Sequence, residues 1–229
     1  TLTLTLTLTL TLTLTLTLAL ALALTPVPNP NPKQAQGVQV LVAAAKMHFR
    51  NAKVQARVAG ALWGLSVHDE IAELIGEMGG ADALILSAKN HPMNGEVQAS
   101  TAGAMRNLSV SDDNKHSIAD MEGLEVLILA SENHLDNALV QAQVAGALRN
   151  LSLNDEVAEQ IAVSGGIEAL VNAAAEHRTN SKVQAGVAGA LRNLSVNDEI
   201  AEEIANNLDP PGNAQKPDPK GKAKGKGRP

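Results

Sequence analysis

The chain has 229 residues and a formal net charge of −6, and 45% of its residues are apolar, which is enough for a buried core. It contains no cysteine, which excludes disulfides, thiolate zinc sites, iron–sulfur clusters and a cysteine nucleophile. With one Trp, one Phe and no Tyr, it lacks an aromatic platform for single-stranded nucleic acid. Residues 1–208 carry a net charge of −10 and residues 209–229 a net +4, so the acidic body argues against nucleic-acid binding by the core.

The first 24 residues are a repeat of Thr-Leu followed by Ala-Leu. Alternation with period two is strand-like and gives a helix no apolar stripe. We interpret residues 1–24 as a low-complexity extension of the kind that a translated nucleotide repeat produces; a signal peptide and a membrane segment are the alternatives left open. Residues 25–36 hold four prolines in alternate positions, which predicts an extended Pro-rich linker.

From Gly37 onward the sequence repeats with a step of 43 residues. The string Val-Gln-Ala begins once in each step, and columns of Gly, His and Asn keep the same spacing. A period of this length is typical of α-helical solenoids. The Val-Gln-Ala strings begin at Val54, Val97, Val140 and Val183, and the His column is His48, His91, His134 and His177.

Each unit is predicted to contain three helices. Apolar residues between Val183 and Ser195 fall at i, i+4, i+7, i+8 and i+11, which is one stripe of a helix. A short first helix is predicted over 155–163, since it opens with acidic residues and ends at Ser-Gly-Gly, and a second helix over 167–176. The sequence therefore predicts an all-α array over residues 37–208, with three complete units, a first unit without its first helix and a last unit reduced to that helix.

The strings VSGGIEALV at 163–171 and VQAQVAGALRNLS at 140–152 resemble armadillo repeats. They are similar to repeats of β-catenin-like, vacuole-inheritance-type and protist armadillo proteins, and the resemblance covers residues 37–208. It implies a right-handed α-solenoid of armadillo repeats with disordered or low-complexity ends. Because armadillo arrays bind many unrelated partners, the implied function is a non-enzymatic protein-interaction scaffold or adaptor.

The resemblance also implies a concave groove lined by the third helices, in which an Asn near each helix end holds the backbone of an extended peptide. An Asn amide carries a donor and an acceptor, so it can serve both a peptide N–H and a peptide C=O. The alternative is that each Asn bonds within its own repeat. The matching residues are Asn107, Asn150 and Asn193, while the first unit has Gly64.

A column of basic residues precedes these asparagines: Arg106, Arg149 and Arg192, with Trp63 in the equivalent place of the first unit. Guanidinium groups suit an acidic peptide, and Trp63 could anchor an apolar residue or stack on an arginine. The alternative is that each arginine pairs with a nearby carboxylate, such as Asp112, Asp155 or Asp198.

The chain departs from nuclear-import receptors of the same family four residues before each Asn. Those receptors carry Trp there, whereas this chain carries glycine, so recognition of basic nuclear-localisation peptides is not expected. We interpret the glycines as allowing close packing or a smooth groove floor. They are Gly60, Gly103, Gly146 and Gly189.

The remaining features predict no chemistry. Successive histidines lie one repeat, about 10 Å, apart and cannot share one metal ion, so we expect them to be polar residues near the end of the second helix. We find no catalytic constellation or cofactor motif, and we expect neither an enzyme nor a metal or cofactor site. Residues 209–229 are predicted to be a basic disordered tail.

The expected partner is a protein or peptide, an acidic one among the options, and membrane association is not expected. We expect a cytoplasmic location and leave a nuclear one open. The competing hypothesis is a structural or assembly module, or a fragment of a longer armadillo array, that self-associates through uncapped terminal repeats.

Overall fold

The computed structural model describes residues 32–208, and this part of the chain consists of twelve α-helices and no strands. Their bounds are α1 Pro32–Met47, α2 Ala52–Leu65, α3 Asp69–Glu77, α4 Gly80–Asn90, α5 Gly95–Leu108, α6 Asp112–Asp120, α7 Gly123–Asn133, α8 Ala138–Leu151, α9 Asp155–Val163, α10 Gly166–Glu176, α11 Ser181–Leu194 and α12 Asp198–Leu208.

The helices recur with the period of the sequence. First helices begin at Asp69, Asp112, Asp155 and Asp198, each 43 residues after the one before. Third helices begin at residues 52, 95, 138 and 181 with the same step. The predicted all-α architecture is therefore confirmed.

Side chains in the loops define where the helices begin. Each third helix is capped by an Asn whose side chain accepts a hydrogen bond from the backbone N–H three residues later, which satisfies one of the free amides of the first turn. Between first and second helices the chain turns through one left-handed residue, Gly79, Glu122 or Gly165. The glycine that follows has no room for a side chain, because a Cβ on Gly166 would lie 2.8 Å from the carbonyl oxygen of Ile161.

The units pack as consecutive layers. Each third helix contacts the next third helix along the row α2, α5, α8 and α11, and the second helices contact one another along the row α1, α4, α7 and α10. The core between the rows is built from aliphatic residues, such as the fully buried Leu62, Met105 and Leu148, with many alanines between them. Small side chains let helix axes approach closely, which explains a core with almost no aromatic residues.

The predicted linker is wrong over its last residues, since α1 begins at Pro32 rather than at residue 37. Proline is well tolerated at the first position of a helix because the missing N–H would have no partner there, and Lys33 to Gln36 are good helix formers. The predicted low-complexity segment, the rest of the linker and the basic tail lie outside the described residues. No helix among residues 32–208 is both long and apolar enough to cross a membrane.

Candidate binding surface on the third helices

The predicted arginine and asparagine columns lie side by side in the last turns of the third helices. Arg106, Arg149 and Arg192 are exposed at the ends of α5, α8 and α11, and the asparagine after each of them is half-buried. Trp63 is half-buried at the end of α2. We call the row formed by Trp63 and the three arginines the ladder.

At every rung except Arg192, one turn of the following third helix holds the rung at two points. The backbone carbonyl of Arg106 accepts a hydrogen bond from Nδ2 of Asn150 at 2.8 Å. Its side chain lies on Gly146, one turn earlier in the same helix, where a Cβ would stand 2.7 Å from Cδ of Arg106. The amide satisfies a carbonyl that the helix end leaves free, and the glycine makes room for the arginine stem.

The same arrangement occurs at two other rungs. The carbonyl of Arg149 accepts from Nδ2 of Asn193 at 2.9 Å, and its side chain lies on Gly189. Trp63 lies on Gly103 in the same way. The glycine column therefore provides seats for side chains of the preceding unit, which agrees with the interpretation of close packing and explains why a Trp slot is absent.

The asparagines do not bond within their own repeats, so that alternative is wrong. Each amide nitrogen instead donates to the end of the preceding third helix; Asn107, for example, donates to Oγ of Ser66 at 3.1 Å. Among the described residues, nothing donates to the amide oxygens of the three asparagines. Their amide oxygens are therefore the atoms most available to a ligand, and they would accept a peptide N–H.

The alternative role of the arginines is also wrong. Within residues 32–208, none of the three ladder arginines lies within ion-pair distance of a carboxylate. Asp112 instead accepts a hydrogen bond from Lys115 at 2.6 Å, and this bond, together with the charge of Lys115, lowers the pKa of the Asp112 carboxyl. No described arginine stacks on Trp63; the one cation–π contact in this region of the chain joins Arg50 to Phe49.

The charges are segregated by layer. The four first helices contain fourteen acidic residues and one basic residue, Lys115, whereas the four third helices contain six basic residues and one acidic residue, Glu96. The acidic body predicted from composition is therefore acidic mainly along one layer. The third-helix layer therefore carries a local excess of positive charge.

Two columns that the sequence displayed have structural roles that were not predicted. Each histidine after the first uses Nε2 to donate to a backbone carbonyl 42 residues earlier: His91 to Phe49, His134 to Pro92 and His177 to Leu135, at 2.7–2.8 Å. These bonds require a proton on Nε2, and they join neighbouring units. The predicted placement near the end of the second helix is confirmed, since His91, His134 and His177 each follow the last residue of one.

The Gln of the Val-Gln-Ala string joins second and third helices within a unit. Nε2 of Gln141 donates to the carbonyls of Ser131 and His134, and its Oε1 accepts from Oγ of Ser131. Gln98 and Gln184 donate to the matching carbonyls of their own units. A polar residue repeated inside an apolar stripe was the available signal for this role.

A scan against protein-family models and a search among curated proteins found no match to this chain. Among residues 32–208 no three His, Asp or Glu side chains are grouped in a way that could hold a metal ion.

Proposed function

We propose that residues 37–208 form an armadillo-like α-solenoid that binds an acidic, extended segment of a partner protein along the ladder, as a scaffold or adaptor without enzymatic activity. The observation that carries this proposal is the state of the three arginines, which are exposed, unpaired with carboxylates in the described part of the chain, and aligned at one end of successive helices. An unpaired guanidinium is a strong donor to a carboxylate.

The charge distribution supports this choice of surface. An acidic partner is attracted to the third helices and repelled by the first helices, which hold fourteen carboxylates. The asparagines fit the same role, because their free amide oxygens can accept N–H groups from the partner's backbone.

The spacing of the ladder favours one type of peptide. Packed helices lie about 8–10 Å apart, so successive rungs have about that separation. A polyproline II helix has three residues per turn and rises about 3.1 Å per residue, so side chains three residues apart share a face at about 9 Å. The proposed ligand therefore presents acidic residues at every third position in this conformation.

The test uses two synthetic peptides of equal composition, one with Glu at every third residue in a proline frame and one with Glu at every second residue. We expect the first to bind the 229-residue chain more tightly, as measured by fluorescence anisotropy. Arg149→Glu should weaken that binding about 10- to 100-fold, the effect of losing a hydrogen bond between charged groups.

Arg178→Glu is the matched control, because Arg178 is an exposed arginine outside the ladder and the charge change is the same. It should leave binding within about twofold of the original value. Equal binding of both peptides would contradict the proposed polyproline II conformation of the ligand. Equal weakening of binding by both substitutions would contradict the proposal that the ladder is the binding surface.

A further inference from the structure

The last unit exposes residues that are buried in every unit before it. Ala188 is exposed on α11, whereas its counterparts Ala59, Ala102 and Ala145 are each 1% exposed. Ala185 is exposed, and Val171 and Leu191 are only partly buried, although the matching residues of the preceding unit are buried. We call Val171, Ala185, Ala188 and Leu191 the carboxyl-terminal face.

The first unit exposes the opposite side of the same interface. Val40 on α1 is 44% exposed, whereas its counterparts Ala83, Val126 and Ala169 are 2–5% exposed. Gly60 offers an empty seat, because among the described residues outside its own helix turn the nearest atom to a Cβ placed there is Oγ of Ser100, at 3.7 Å. We call Val40, Ala44, Arg57 and Gly60 the amino-terminal face.

Each end contains the helices that the other end lacks. Within residues 32–208 the stack ends with α12, a first helix with no second and third helix after it, and it begins with α1 and α2, a second and third helix with no first helix before them. The repeat pattern ends inside the chain on both sides, and residues 209–229 contain no Val, Leu or Ile with which to cover an apolar face. That segment is therefore a poor occupant, whereas the amino-terminal face of a second copy matches in helix type and in residues.

Two polar features also match across such a junction. Arg192 is the ladder rung that has no glycine seat among the described residues, and Gly60 is the seat that has no side chain. His48 has no carbonyl partner within residues 32–208, and the next carbonyl in the series Phe49, Pro92, Leu135 belongs to Arg178, which accepts no bond from the described residues. In each of these two unmatched pairs, one member lies at the carboxyl-terminal end of the stack and the other at the amino-terminal end.

From this continuity with the internal interfaces, we propose that the carboxyl-terminal face of one molecule docks onto the amino-terminal face of a second copy, so that α12 of one and α1 and α2 of the other complete a three-helix unit. This contact is heterologous, and it allows open-ended growth of the stack. The proposal is independent of peptide binding by the ladder.

One residue opposes the contact and limits its strength. Arg57 stands where the other units have Ser100, Gln143 or Gly186, and those residues pack against the preceding third helix. At the junction Arg57, which forms an ion pair with Glu96 of its own chain at 3.2 Å, would therefore face Ala188 and Gly189 of the other copy, where its side chain is larger than those it replaces and burying its charge is costly. Association should therefore be weak, and a smaller uncharged residue in place of Arg57 should strengthen it.

The test measures the mass of the full chain in solution by light scattering as its concentration rises. We expect the weight-average mass to pass beyond twice the 23.7 kDa of one copy, and Arg57→Ser to tighten association about tenfold. Ala188→Arg and Val40→Arg each place a charge on one exposed face, so both variants should fold normally, by circular dichroism, and remain monomeric.

Mixing the two blocked variants decides the geometry. Each variant retains one intact face, so an equimolar mixture should form dimers and nothing larger. The control is Leu153→Arg, which makes an equal charge change on an exposed residue away from both faces. It should associate like the unsubstituted chain. A dimer formed by Val40→Arg alone would replace the head-to-tail contact with a symmetric one. The proposal would be overturned if the unsubstituted chain and the Arg57→Ser variant both remained monomeric up to about 1 mM.

Discussion

The middle and the end of the array contain nearly the same residues, but these residues differ in burial and in hydrogen bonding. Gln141 in the third unit is 1% exposed and makes three hydrogen bonds, whereas its equivalent Gln184 in the last unit is half-buried. Ala145 is buried and Ala188 is exposed. In a stacked protein the contribution of a residue is therefore set by the presence of a following unit, and identical repeats can be compared as matched sites in two environments.

The alanine pair should give the largest difference. Ala145→Arg forces a long charged side chain between α8 and α11, where Ala145 Cβ already lies 2.9 Å from the Cβ position of Gly186. We expect it to reduce the free energy of unfolding by about 4 kcal/mol or more, the range of buried unpaired charges. Ala188→Arg should change it by less than about 0.5 kcal/mol, because that side chain faces solvent. Urea denaturation followed by circular dichroism measures both, and equal losses would contradict the packing described for this interface.

The glutamine pair should give an intermediate difference. Gln141→Ala removes three buried hydrogen bonds, although the His134 carbonyl keeps the backbone N–H of Asn137 as a donor, and this loss should cost about 3 kcal/mol. Gln184→Ala should cost about 1 kcal/mol, since water can reach the carbonyls of the terminal unit. Urea midpoints of the two variants, compared at equal m-values, provide the measurement, and a larger loss for Gln184→Ala would show that the terminal unit is packed more tightly than the interior.

The histidine pair should give the smallest difference. His134→Ala removes the hydrogen bond to the carbonyl of Pro92, which should cost about 1 kcal/mol. His48→Ala removes a ring that has no such partner within residues 32–208, and its effect should stay within about 0.5 kcal/mol. Thermal unfolding of the two variants separates these values; if both were equally destabilised, the bonds between units would contribute nothing measurable.

Much of the fold could be predicted because the repeat period and the helix signals agree. The first helix expected over 155–163 has those bounds, and the second helix expected over 167–176 begins one residue earlier. Capping residues and glycine turns are local signals, so the sequence carries them directly. The start of α1 at Pro32 was missed because a run of alternate prolines predicts an extended chain, although the last proline of such a run can begin a helix.

The candidate site was predicted as two columns, but the partners of its residues were not. A period identifies equivalent residues; it does not say whether Asn150 bonds within its unit or across to Arg106. The replacement of this Asn by Gly64 in the first unit was the available signal, since within residues 32–208 no third helix precedes that unit. Contacts that join units separated by more than 40 residues depend on how the layers stack, and a single sequence does not report that geometry.

The glycine seats make the side-chain entropy of the ladder arginines unequal along the array. A free arginine side chain has rotamer freedom that is worth about 2 kcal/mol, and a side chain laid on a helix has lost part of it before any ligand arrives. Arg106 and Arg149 lie on the glycines of the next unit, whereas no described glycine receives Arg192. A ligand held by the first two arginines therefore binds preordered groups, while one held by Arg192 must order that side chain itself. On the proposed function, we therefore expect an acidic ligand to bind more tightly at Arg106 and Arg149 than at Arg192, although the three side chains are chemically identical.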